Sequence, residues 1–339
     1  MHVIVRRWEE DSDLHIDYIS DYVILLVSKL ALNVFVLCYT CSRDYTCWHG
    51  ISSLSVVLAD LVVGMFMVKI WLFGPDDIAV PLCSLLTFTS KTYEALPLPL
   101  MGLYLWDLWL EDTCCNNWKA SYKVVKNIAL TTVLWIIAVL NANRAVKVNL
   151  IEQRTAADKK VLLCEVQDAT LVTYFALLIF SVSICLMLPY CSWIPQWISE
   201  AERMFEAREK HKMKNLVTLN QCARMTPLEL METPMPRPPL WLSLVLGFST
   251  LWMPYVVIIT ASLLLGFCLP SFIGVNLMWL ECTNSVQAGV MFWVKSCTRG
   301  PYVRVPTSVC SWEVYWHLSQ QSDMKLLSPV LITKNKLYV

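Results

Sequence analysis

The sequence predicts an all-α, polytopic membrane protein in which a bundle of seven helices crosses the bilayer. Three observations carry this expectation. Hydrophobic residues make up 56% of the 339 and charged residues only 16%, with a mean hydropathy of +0.51, whereas a soluble domain carries roughly a quarter charged residues. Seven stretches qualify as spans, each holding the ~20 mostly apolar residues that a helix needs to cross lipid. Trp and Tyr are abundant, at 15 and 13, and these side chains anchor helices where membrane meets water. Lys plus Arg balances Asp plus Glu at 27 each, so there is no basic excess to signal nucleic acid as a partner. The 14 cysteines are too sparse for a disulfide-built scaffold of this length.

The spans fall at 21–41, 51–73, 80–110, 124–142, 168–194, 240–266 and 271–294. Each is expected to be helical, because lipid offers no partner to a backbone N–H or C=O. Residues 1–20 are charged, lack a long apolar run and read as an extracellular N-terminus, so the first span is expected to serve as its own insertion signal. The third span carries Lys91, Glu94, Pro97 and Pro99, and its prolines should distort it, as Pro254 should kink the sixth. The fifth span is expected to extend inward as a helix. The segment 195–239 then forms the third cytoplasmic loop, ending in the breaker run TPMPRPP. Residues 296–339 read as a cytoplasmic tail, with Cys297 a weak candidate for palmitoylation. With the N-terminus outside, 17 Lys and Arg lie in inner segments or at the inner edge of a span and seven in outer ones, the bias that sets orientation. The domain expected between the termini is 21–295, placed in the plasma membrane. No Asn-x-Ser/Thr sequon occurs, so N-glycosylation is not expected.

Ionisable groups inside spans are costly and need a reason. Asp60 sits mid-helix in VVLADLVV, while Asn33, Trp252, Asn284 and Ser285 lie at similar depth in other spans. A polar, ion-binding cluster is therefore expected, with an isolated neutral acid as the alternative. Lys91 and Glu94 are three apart on one helix face, and Glu281 lies in span seven. These charges read either as helix pairing or as the wall of a ligand pocket. Cys83 opens span three and Cys164 lies in the second outer loop; both would face the oxidising side, where a disulfide can form. No enzyme motif appears, and the five histidines are scattered outside the spans. Neither catalysis nor a metal centre is expected.

Several motifs occur in one order. They are Asn33 and Val36 in ALNVFVL, Asp60 in LADL, the cysteines 83 and 164, and Trp135 in VLWIIAV. They continue with Phe248, Trp252 and Pro254 in FSTLWMPY, and with NSVQAGVMF. Across about 20–295 this pattern resembles the rhodopsin-like G-protein-coupled receptors, with stretches most similar to one of their orphan members. The resemblance implies a Cys83–Cys164 disulfide, and a sodium-binding aspartate at Asp60 within a polar core of Asn33, Asn284 and Ser285. It also implies an activation hinge at Phe248, Trp252 and Pro254, and a ligand pocket holding Lys91, Glu94, Tyr255 and Glu281. An extracellular ligand, with a peptide among the candidates, and a heterotrimeric G protein are the implied partners. The departures matter equally. The coupling motif reads Asp107, Leu108, Trp109, with no arginine, and its expected acidic lock falls on Pro234. Ala288 and Gly289 replace Asn-Pro, Phe292 replaces the span-seven tyrosine, and Pro97 replaces a sodium-coordinating serine. Ser90 occupies the amine-binding position and Cys282 the retinal lysine's, which argues against a biogenic amine and against a visual pigment. Two rivals stand beside a signalling receptor: a non-signalling seven-helix protein (scavenger, chaperone or heteromer subunit), and a transporter.

Overall fold

The computed structural model describes residues 2–8, 15–40, 48–73, 79–113, 120–145, 150–154, 160–203, 238–267 and 269–299. Most of the expected cytoplasmic loop and tail, including Pro234, lies outside the described residues. The helices are α1 Ile19–Thr40, α2 Trp48–Phe73, α3 Ala79–Ala95, α4 Pro97–Thr113, α5 Ala120–Ala145, α6 Thr170–Met187, α7 at 194–203, α8 Leu240–Leu264, α9 Ser271–Gly274 and α10 Leu277–Arg299. Four strands accompany them: β1 His2–Trp8, β2 His15–Asp17, β3 Leu150–Arg154 and β4 Lys160–Glu165.

Five of these helical segments are long and apolar enough to cross a membrane: Ile19–Cys38, Gly50–Phe73, Val124–Ala145, Thr170–Tyr190 and Leu240–Leu264. In the first four, only 17 to 22% of the most apolar window is buried in protein. Leu25, Phe35, Phe66, Ile137 and Leu178 are among the large side chains left exposed. Apolar surface on this scale marks contact with a membrane, and the chain is a multi-pass, helical membrane protein. The other two expected spans differ. The third is broken at Leu96 into α3 and α4, of 17 residues each. Pro97 opens α4, and a residue before proline is pushed out of the helical region, so the break falls where the ring requires it. The last, α10, has the length but is diluted by Glu281, Asn284, Gln287 and Lys295. The fifth span ends as an α-helix at Met187; a 3₁₀ turn at Leu188–Tyr190 follows, and the helix resumes in α7. Pro189 and Pro195 flank that interruption. Pro254, in contrast, lies inside an unbroken α8.

The chain divides into two compact units, one of residues 1–177 and 257–284, the other of 178–256 and 285–339. In the first, α1 packs on α2, and α3 packs on α5 and α9. An antiparallel sheet of order β2-β1-β4-β3 belongs to the same unit. β1 is an inner strand, with Val3 opposite Cys164, and Cys164 also faces Leu150 of β3. Val5, Val161 and Cys164 are buried, so β1 and β2, within the stretch expected as a plain N-terminus, supply part of a folded layer. Cys83 and Cys164 form the expected disulfide, which joins β4 to the second turn of α3. α8 ends where Gly266 adopts φ +75. There the Gly266 N–H bonds to the Leu263 carbonyl and the Phe267 N–H to that of Ser262, the glycine cap that satisfies the last carbonyls of a helix.

The second unit holds an aromatic cluster. Trp197 and Ala201 of α7 pack with Leu242 and Leu246 of α8, bordered by Tyr190 and Trp241. The Tyr190 ring lies 6.0 Å from Trp197 and 6.1 Å from Trp241, within the range of favourable ring pairs.

Gly274 closes α9 against Ala169. A Cβ at 274 would lie 2.5 Å from the Ala169 Cβ, closer than carbon atoms tolerate. Gly274→Ala should lower stability by about 1–3 kcal/mol, the usual cost of overpacking. Thermal unfolding in detergent should show the loss, and adding Ala169→Gly should recover most of it.

Candidate functional site

The first unit is organised around Asp60, in the middle of α2. Its carboxylate is 1% exposed, and its cation is Lys29 of α1, itself 5% exposed. Lys29 Nζ lies 2.6 Å from Asp60 Oδ1 and donates a second hydrogen bond, also of 2.6 Å, to the Phe272 carbonyl of α9. Asn33, one turn along α1, donates from Nδ2 to Asp60 Oδ2 at 2.6 Å, while its Oδ1 accepts the Leu277 N–H at 2.9 Å. The Tyr93 hydroxyl of α3 donates to Asp60 Oδ1, and Lys29 Nζ sits 4.3 Å from the centre of the Tyr93 ring, where a cation gains from the π face. Tyr93 in turn meets Trp135 of α5 edge-on at 5.9 Å, and Trp135 Nε1 donates to Ser55 Oγ of α2 at 3.0 Å. One connected network thus ties α1, α2, α3, α5, α9 and the start of α10.

The local sequence explains the arrangement. Lys29 and Asn33 are four apart, so both project from one face of α1. The break after α9 frees the Leu277 N–H at the start of α10, where a helix has donors without internal partners. Asn33 supplies the acceptor.

Of the expected polar core, Asn33 and Asp60 meet. Ser285 lies in the second unit, where it accepts a hydrogen bond from Trp252 Nε1 at 3.1 Å. Asn284 is buried on α10 in the first unit. The expectation of sodium at Asp60 needs correction on electrostatic grounds. The ammonium of Lys29 already balances the carboxylate, and a second cation beside it would be repelled. No motif in the sequence singles out Lys29 or Tyr93. The signal was present in the i, i+4 pairing of Lys29 with Asn33, the residue already expected to face Asp60.

The expected ligand-pocket residues are dispersed. Lys91 is half-buried and Glu94 exposed on α3, and no ion pair joins them among the described residues, so their spacing does not produce the pairing it permits. Glu281 is half-buried on α10, and Tyr255 belongs to the second unit. Phe248 and Trp252 of the expected hinge are buried in that unit, with Pro254 exposed. Asp107 and Leu108 are half-buried and Trp109 exposed on α4, with the Trp106 and Trp109 rings 6.0 Å apart and tilted by 40°.

Another α3 group has a clear partner. Ser90 Oγ donates to the Gln167 carbonyl at 2.6 Å, and that oxygen also accepts from Ser271 N at 3.1 Å and Ser271 Oγ at 3.2 Å. Thr87 Oγ1 donates to the Glu165 carbonyl at 3.1 Å, and Ala169 N to the Leu269 carbonyl at 2.8 Å.

Compared with known proteins, the chain matches no family model, and no curated protein is similar enough to stand as a relative.

Because Lys29 serves as the counter-ion, the melting temperature of the purified protein should be the same in sodium and in potassium chloride at equal ionic strength. Lys29→Ala should create a sodium-specific rise in melting temperature by exposing the carboxylate to the ion. A sodium-specific rise in the unsubstituted protein would contradict this assignment.

Proposed function

We propose that the chain is a seven-helix receptor of the rhodopsin-like type. It would sit in the plasma membrane with its N-terminus outside and convert the binding of an extracellular ligand into a change at its inner face. The observation that carries this reading is the disulfide between the start of α3 and β4, with β1 paired to the same strand. A disulfide persists on the oxidising side of a membrane, so Cys83, β4 and the N-terminal strand belong outside together. This argument is independent of the Lys and Arg count, which favours the same orientation. The seven spans follow if α3–α4 and α10 are counted. Much of α3 is buried, from Ala79 through Tyr93, and a helix shielded by its neighbours does not need the uniformly apolar surface of a lipid-facing one.

Binding would shift a two-state equilibrium, with the Trp252–Ser285 contact and Pro254 at the hinge. Coupling to a heterotrimeric G protein would then be atypical, because Leu108 provides no cation. That same residue favours the second reading, a seven-helix protein that binds without signalling. Two measurements separate these outcomes. Epitope tags stained on intact cells should reveal the N-terminal tag and not the C-terminal one; a stained C-terminal tag would refute the topology. With surface expression verified, second-messenger output should rise above that of mock-transfected cells in at least one G-protein class. Silence in all classes, with output appearing in Leu108→Arg, would favour the non-signalling reading.

A further inference from the structure

The segment 165–169 runs from β4 to α6 as a strap bound along its backbone. Thr87 and Ser90, three apart on α3, donate to the carbonyls of Glu165 and Gln167. α9 engages the strap through Ser271, and Leu269, just before α9, accepts the Ala169 N–H. Asp168 forms a β-bridge to Pro270, and Gly274 gives Ala169 the space to lie flat. The pattern is that of a peptide held by its main chain, as in recognition by strand addition. The receiving surface is mostly donors: the Thr87 and Ser90 hydroxyls of α3 and the N–H and hydroxyl of Ser271.

We infer that the α3–α9 face is a binding site for extended peptide backbone, occupied at rest by the chain's own residues 165–169, and that an extracellular peptide acts by replacing this strap. An acceptor-bearing peptide could satisfy the donors that the strap meets, the Thr87 and Ser90 hydroxyls and the Ser271 N–H. The inference builds on the receptor reading for its biological meaning, but its test measures peptide occupancy and not signalling.

The full-length protein in nanodiscs is compared with Ala169→Leu, which cannot lie against Gly274 and should lift the strap while keeping Thr87, Ser90 and Ser271. The probe is a fluorescein-labelled peptide of the strap's own sequence, EVQDAT, read by anisotropy. Saturable binding is expected to Ala169→Leu, weakened about tenfold when Ser90→Ala removes one of its hydrogen bonds, and much weaker to the unsubstituted protein. Equal binding to all three, or no binding to a cooperatively melting Ala169→Leu, would overturn the inference. Should Ala169→Leu fail to fold, hydrogen exchange decides. Ser90→Ala alone should speed amide exchange across 166–169 about tenfold, and unchanged exchange there would overturn it. Peptide binding without any second-messenger response would sink the signalling reading and leave this one standing; a response without peptide binding would do the reverse.

Discussion

Lys29 and Asp60 are each almost wholly removed from solvent, and neither charge could stand there alone. A lone ion at membrane depth is costly, and the contact between the two offsets that cost only because each has further partners. The ammonium has the Phe272 carbonyl and the Tyr93 ring; the carboxylate has Asn33 and the Tyr93 hydroxyl. The pair therefore acts as a positional constraint on three helices more than as a store of stability. A buried ion pair is often no more stabilising than an apolar replacement of similar volume, yet removing one partner is severe. Lipid-facing helices have no hydrophobic force drawing them together, since lipid is as apolar as they are. Polar contacts of this kind are what can set their register. The position of α3, and with it Ser90 and Thr87, depends on Tyr93 meeting Asp60.

The same α3 surface is fixed a second time from the sheet side. The disulfide holds β4 at Cys83, and the strap hydrogen bonds begin one turn further along, at Thr87. α3 is thus set by an ionic network at one level and by covalent and main-chain contacts at another. β1 is an inner strand of the sheet that β4 belongs to, so the first residues of the chain contribute to the same support.

Much of this was legible in the sequence, for identifiable reasons. Hydropathy gave the five apolar spans because a lipid-facing helix must be apolar over nearly its whole surface. α3 and α10, also expected as spans, are diluted by Lys91, Glu94, Glu281 and Gln287 and fall short of that uniform apolarity. Pro97 announced the break after Leu96, since its effect is local and steric. Pro254 did not interrupt α8, although the same rule applied to it. The partner of Asp60 was harder to read. Asn33 belongs to a motif, but Lys29 does not, and its connection to Asp60 spans 31 residues and depends on how α1 packs. The sheet was missed altogether. β1 is short and rich in charge, and its pairing with β4 lies far along the chain, so no local alternation marks it. The strap was invisible for a related reason, since its anchors are backbone atoms that no side-chain pattern encodes.

Lys29 and Asp60 act as one unit, and a double-mutant cycle on thermal or denaturant unfolding of the purified protein tests this most directly. Lys29→Met and Asp60→Leu should each lower stability by about 3–5 kcal/mol, because each strands a buried charge. The double variant should lose far less than the sum of the two, giving a coupling energy of about 1–3 kcal/mol or more. Additive losses, with no coupling between the two positions, would contradict the account.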